Sequence, residues 1–227
     1  MNFKGIVLIL TVVFLWPSIL LTKERVYEEK TGADVVTHRF NMETTDMGYT
    51  IFLTTETKEG NVTQEFFLDK KLATVSWNYD DPKAKTKVHA ARKDKKITLS
   101  GSDRGKGIEK TFAVDELAWN QLFNLGLEQF ALNKEDTVKF WAIGVKGPGN
   151  MKITRFKVKK KSKEPILLTV GNQKMPAVYM TISLTGFLSM FWTGEYWFRS
   201  TDGVFLRYKG KNKPGAPVSF MQLVTEK

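Results

Sequence analysis

Histidines are few and cysteines absent in this chain, and the spacing of its residues organises no acid–base or metal chemistry. The two histidines, His38 and His89, stand among charged and β-branched neighbours with no third ligand at a metal-binding interval, so both read as surface residues. Gly101-Ser102-Asp103-Arg104-Gly105-Lys106-Gly107 has the glycine content of a phosphate loop. It lacks the Gly-Lys-Ser/Thr ending and no helical pattern follows, so it reads as a hairpin turn. No Gly-x-Ser-x-Gly elbow exists for a serine hydrolase. Asp80-Asp81-Pro82 is turn chemistry. Acidic residues are numerous enough to leave a carboxylate pair for glycoside hydrolysis open, yet nothing singles one out. The expectation is a protein that is not an enzyme, with no catalytic residues, no metal and no cofactor.

Two other residue groupings point to binding. The stretch Phe187 to Phe198 places aromatics on both faces of an expected strand pair, more than one face of a half-exposed sheet needs. With the aromatics nearest in pattern, it suggests an apolar cavity lined by Trp119, Phe123, Phe140, Phe187, Phe191, Trp192 and Trp197, able to take a lipid-like ligand. The competing reading is a dry packed core. The second grouping is basic. Omitting residues 1–22, the chain has 34 basic and 24 acidic residues, a net charge of +10. The charges gather at Lys83 to Lys96, Lys157 to Lys163 and Arg207 to Lys213. Either these are solvated faces and guarded edge strands, or Lys157, Lys159, Lys160 and Lys161 contact an anionic membrane or envelope surface. Nucleic acid does not suit an exported chain.

Positioning such residues falls to strands. Alternating or β-branched runs separated by turn residues recur from Val35 almost to the C-terminus, as in Tyr49-Ile51-Leu53, Ala73-Val75-Trp77-Tyr79 and Ile108-Lys110-Phe112. Roughly a dozen strands are too many for one flat sheet. The fold expected is therefore mainly β: a strongly curved antiparallel meander, a half-barrel or open barrel. One α-helix near 116–131 interrupts it, capped by Asp115, with Leu117, Leu122, Leu125 and Phe130 on a helical rhythm and Trp119, Phe123 and Leu127 widening the stripe. Gly126 weakens that helix.

The first residues have the layout of an export signal. Lys4 precedes an uncharged run from Ile6 to Thr22 that ends at Lys23-Glu24-Arg25, with Pro17 inside it. No small-residue cleavage site is evident, so residues 1–22 are either a signal peptide or an N-terminal membrane anchor, followed by a single β-rich domain over 23–227. Cysteine is absent. That excludes disulfides and the lipid-modified cysteine of a lipoprotein, and it favours a bacterial periplasm over a disulfide-stabilised extracellular setting.

The leader, the long meander, the central helix and the run Trp197-Phe198-Arg199-Ser200-Thr201-Asp202-Gly203 with Arg207 resemble uncharacterised bacterial periplasmic proteins similar in fold to the lipoprotein and lipid carriers of the envelope. The resemblance covers mainly residues 115–227. It implies a half-barrel with an apolar concave face and supplies no catalytic residues. Three functions follow as expectations. The first is a periplasmic carrier holding an apolar or lipid-like ligand, the second an envelope structural or interaction protein, and the third a hydrolase using unidentified carboxylates. A membrane-spanning barrel fits poorly, because Lys157, Lys159 and Lys161 share one strand face and Lys160 sits on the other.

Overall fold

The computed structural model describes residues 22–145, 150–162, 164–186, 192–211 and 216–227, apart from the Val145 side chain. The leader, Phe187, Phe191 and the turns at Gly147-Pro148-Gly149 and Pro214-Gly215 lie outside the described residues. Eight strands come first: β1 (Thr22–Thr31), β2 (Asp34–Thr45), β3 (Gly48–Thr57), β4 (Gly60–Asp69), β5 (Thr74–Asp81), β6 (Thr86–Lys93), β7 (Lys96–Asp103) and β8 (Lys106–Ala113). Two helical turns follow, α1 (Phe123–Gly126) and α2 (Glu128–Leu132). The rest is β9 (Thr137–Val145), β10 (Met151–Lys160), β11 (Ile166–Val170), β12 (Gln173–Leu184), β13 (Thr193–Arg199), β14 (Phe205–Lys211) and β15 (Val218–Glu226).

All of the strands belong to one open antiparallel sheet of 15 strands, in the order β8-β7-β6-β5-β4-β3-β2-β1-β15-β14-β13-β12-β10-β9, with β11 paired to β12 alone. Two meanders are thus zipped together where the last strand pairs with the first. Glu24 and Lys227 exchange backbone hydrogen bonds at 3.1 and 2.9 Å across that seam. Alternation decides the faces. Tyr27, Phe40, Ile51, Phe66, Trp77, Ala90 and Leu99 are at most 5% exposed, and with Phe198 and Phe205 they form an inner face. Curling is the only way so wide a sheet can hide that face from water.

The segment between β8 and β9 joins the two outer edges of the sheet, and it differs from the expected helix. Asp115 starts no helix: its carboxylate accepts from Leu117 N at 3.1 Å within the loop, and the N-cap of α1 is Leu122, with no side-chain bond. The whole segment is a strap, and its residues 118–120 run extended beside β9. Trp141 N donates to Ala118 O at 2.8 Å and Asn120 N to Trp141 O at 2.9 Å, forming a parallel bridge to β9. On its other side the strap accepts from Thr74 N at 2.7 Å. Gln121 extends this mimicry, its amide accepting from Ile143 N at 2.8 Å and donating to Ile143 O at 3.1 Å. An unpaired edge strand has a row of unmet donors and acceptors. Supplying them outweighs the helical rhythm of Leu117 and Trp119, so helix survives only in α1 and α2.

Candidate functional site

The structure gathers part of the expected aromatic set. Phe123 meets Phe140 edge-on at 4.9 Å and Phe156 at 5.1 Å, and Phe156 meets Trp192 at 5.7 Å. Phe156, on the inner face of β10 opposite Phe140, was not singled out by the sequence, although it lies two residues before buried Val158. Trp119 is fully buried in the strap, its indole donating to Gln121 at 3.1 Å. Trp197 lies apart from these. It is on the outer face of β13, stacked on Tyr179 at 5.0 Å, because its neighbours Tyr196 and Phe198 take the inner positions.

Beside this cluster the inner face turns polar. His38 lies opposite Tyr27 in the β1–β2 ladder and opposite Thr55 in the β2–β3 ladder, so all three share the inner face. The His38 side chain is 13% exposed and that of Glu29 is 17%, which corrects the reading of His38 as a surface residue. The signal was present: His38 precedes inward Phe40 by two residues, and Glu29 follows inward Tyr27 by two. His38 Nε2 lies 2.9 Å from Glu29 Oε2, His38 Nδ1 lies 3.0 Å from Thr55 Oγ1, and Ser219 donates to Glu29 Oε1. Four side chains thus form one chain of hydrogen bonds across β3, β2, β1 and β15. His89, by contrast, is exposed, as expected.

Next to Ser219 the inner row continues through Gly210 and Gly194. A Cβ on Gly194 would stand 2.9 Å from the rings of both Tyr196 and Tyr208, and one on Gly210 would overlap the Tyr208 hydroxyl. The tyrosine rings therefore lie flat over glycine backbone. Burial pushes the Tyr208 phenol up to about 12, with Glu29 adding to the shift, and burial likewise raises Tyr196 well above the ordinary phenol value. Both are neutral hydroxyls at any physiological pH.

A hydroxyl–imidazole–carboxylate series has the order of a nucleophile, base and orienting group. Thr55 nonetheless sits within β3, paired on both sides to His38 and Val62, so the amides around it serve the ladders rather than an oxyanion. Among the described residues no cluster of His, Asp and Glu could hold a metal ion.

A second buried group fastens the strap. Arg25, 6% exposed, donates from Nη1 to Glu128 of α2 at 2.5 Å and from Nε to Glu226 at 3.1 Å. Glu226 also receives Arg199, which holds Asp202 in turn. Burial pushes the Glu128 carboxyl up to about 7, against the pull of Arg25. Gly203, at φ +77, lets the chain pass beneath α2, where a Cβ would come within 2.5 Å of Glu128 O.

The basic residues divide by face. Lys157, Lys159 and Lys161 are exposed on the outer side. Lys160 points the other way: its ammonium lies 4.9 Å from the Phe130 ring and donates to Asn133 O at 2.5 Å. It ties β10 to the strap, and the desolvation that accompanies this lowers its pKa. Among the described residues no helix is long and apolar enough to cross a membrane.

No family model and no curated protein sequence matches the chain. Among solved structures it is similar to the hypothetical lipoprotein YmcC of Escherichia coli K12, at 11% identity and a TM-score of 0.38, over 91% of this chain and 85% of that one.

Proposed function

We propose that the protein is a non-enzymatic binding module of the cell envelope that holds an amphiphile against the inner face of its half-barrel. The observation that carries this is the chain Thr55–His38–Glu29–Ser219. The bonds among these four side chains run between strands that the backbone ladders already join, so those bonds add no new tertiary connection, yet they place titratable groups on a face otherwise built from apolar residues. A polar ligand group is a physical reason for such an arrangement. Glu29 is an acceptor and the neighbouring hydroxyls can turn to suit, so the polar end that fits best is one that donates hydrogen bonds, a hydroxyl or an ammonium, rather than a free carboxylate. The rings of Tyr208 and Tyr196, 8% and 7% exposed, and the half-buried Trp192 and Phe156 continue from this point as an apolar row against which a chain could lie. The charge-free run after Lys4 supports an exported protein, which would meet such molecules.

Burying eight methylenes yields roughly 6 kcal/mol, while micromolar affinity needs about 8 kcal/mol after the costs of association. The polar end must therefore contribute. Titration with a fluorescent long-chain alkylamine should give saturable binding, weakened roughly tenfold by His38→Leu, and a fatty-acid analogue of equal length should bind less well. Absence of saturable binding for either probe up to about 100 μM would remove the ligand from this face and leave an envelope interaction protein.

A further inference from the structure

Strand pairing builds a cationic face that has no counterpart in the linear sequence. Lys139 of β9 lies opposite Lys157 of β10. Lys159 lies opposite Thr181, which lies opposite Glu195. Glu195 lies opposite Lys209, Lys209 opposite Phe220, and Phe220 opposite Lys30. Lys211, opposite Val218, joins the same outer surface. Lysines from β1, β9, β10 and β14 therefore share one side, all of them exposed. Four lysines elsewhere have acidic partners, Lys58 with Asp34, Lys83 with Glu59, Lys87 with Asp80 and Lys95 with Glu116, while others such as Lys70, Lys71, Lys93 and Lys106 stand at turns and strand ends rather than in a row across interior strands. On this face, among the described residues, Lys30, Lys139, Lys157, Lys159 and Lys211 form no ion pair. Lys209 comes no closer than 3.8 Å to Glu195, whose other oxygen takes the Tyr179 hydroxyl at 2.5 Å.

Guarding an exposed sheet edge is the usual use of strand lysines. It does not explain Lys30, Lys209 or Lys157, because β1, β14 and β10 are interior strands of the sheet. Like charges gathered without partners repel one another, so the arrangement is favourable only when anions meet it. Their form says which anions. These are point charges on long flexible stems, spread over a broad surface, with no planar guanidinium fork and no walls, which suits a diffuse layer of phosphates better than one shaped molecule. Val218, 45% exposed beside Lys211, offers an apolar side chain to the same layer. We infer that the outer face carrying Lys30, Lys139, Lys157, Lys159, Lys209 and Lys211 docks onto an anionic phospholipid bilayer. This docking is independent of any ligand on the inner face.

The test is co-sedimentation of the full chain with vesicles of phosphatidylcholine, with and without phosphatidylglycerol. Comparing the two compositions cancels insertion of the apolar leader, which needs no lipid charge. Each lysine near an anionic surface contributes about fivefold in partitioning. Lys157→Gln, Lys159→Gln and Lys209→Gln together should lower the anionic preference roughly 100-fold, whereas Lys58→Gln, Lys83→Gln and Lys87→Gln should change it less than about twofold beyond the general loss of charge. Raising salt from about 0.1 M to about 1 M, which shortens the screening length from about 10 Å to about 3 Å, should release the protein from the anionic vesicles. Equal partitioning onto both compositions overturns the inference. So does an equal loss from the two triple variants, or retention on dextran sulfate without any preference for anionic vesicles.

Discussion

The Arg25–Glu128 pair makes stability depend on pH in a direction opposite to that of an ordinary salt bridge. Both side chains are nearly buried, at 7% and 11% exposure. Burial raises the Glu128 carboxyl from its ordinary 4.5 to about 7, Arg25 notwithstanding. In the unfolded chain the proton leaves near the ordinary value, whereas in the folded protein it is held until about 7. Between those values the folded state binds more protons, so the contribution is present at low pH and is lost as pH rises through the window. A shift of this size corresponds to at most about 3 kcal/mol. Glu128→Gln carries a neutral group of the same shape at every pH. It should match the wild type near pH 5 and overtake it by up to about 3 kcal/mol near pH 8, seen as a relative gain of roughly 2–4 °C in Tm per kcal/mol. Arg25→Met should cost about 3–5 kcal/mol near pH 8, where it strands a charge, and less near pH 5. Thermal melts of the three proteins across this range decide the matter. If Glu128→Gln loses ground to the wild type as pH rises, Arg25 holds Glu128 ionised and the burial argument is wrong.

Other outcomes follow from single side chains. Trp119→Ala should cost about 3–5 kcal/mol in urea unfolding, because its fully buried indole fills the junction between strap and sheet. Gly203→Ala forces a left-handed backbone on a residue with a Cβ, worth about 1–3 kcal/mol, and presses on Glu128 O, so its loss should exceed that of alanine at Gly32, where φ is +62 and nothing lies within 4 Å. Gly194→Val should lift the Tyr196 and Tyr208 rings, changing the near-ultraviolet circular dichroism and weakening alkylamine binding together.

What could be read in advance depended on how local its cause is. A strand that hides one face must alternate, so Tyr49-Ile51-Leu53 and Ile108-Lys110-Phe112 disclosed β3 and β8, and Asp80-Asp81-Pro82 ends β5 in a turn where Asp81 accepts from Ala84 N at 2.9 Å. The helix expected near 116–131 forms in the later part of that span, as α1 and α2, whereas its first part is the extended stretch of the strap, because apolar spacing such as Leu117, Trp119 and Leu122 suits a helix and an irregular segment buried along one side alike. The strap's conformation was decided by the open edge of β9, whose Trp141 is 22 residues from Trp119 and invisible in the local pattern. Phe123 and Phe140 do lie in contact, while Trp197 is on the outer face. A band of consecutive aromatics carries no phase, and only the burial of Tyr196 and Phe198 sets it. The polar chain was out of reach, since Ser219 meets Glu29 across a separation of 190 residues, through a pairing of first and last strands that neither strand announces.

The two buried polar groups invite opposite explanations, and connectivity separates them. Arg25 joins β1 to α2, which belongs to no ladder of the sheet, and through Glu226 of the adjoining β15 it reaches Arg199 on β13, two strands beyond. Such a group can repay desolvation by fixing where the strap docks. The bonds among Thr55, His38, Glu29 and Ser219 run between neighbours already zipped by backbone hydrogen bonds. Removing them together in favour of apolar residues should leave the fold standing. A chain that keeps such a group beside two glycines and two tyrosines departs from what packing alone would choose, and departures of that kind mark places where something other than stability is being served. Replacing Glu29, His38 and Ser219 together by Leu, Phe and Ala is therefore expected to preserve or raise the Tm while abolishing alkylamine binding. A fold lost with the ligand site would mean that the polar chain is structural after all.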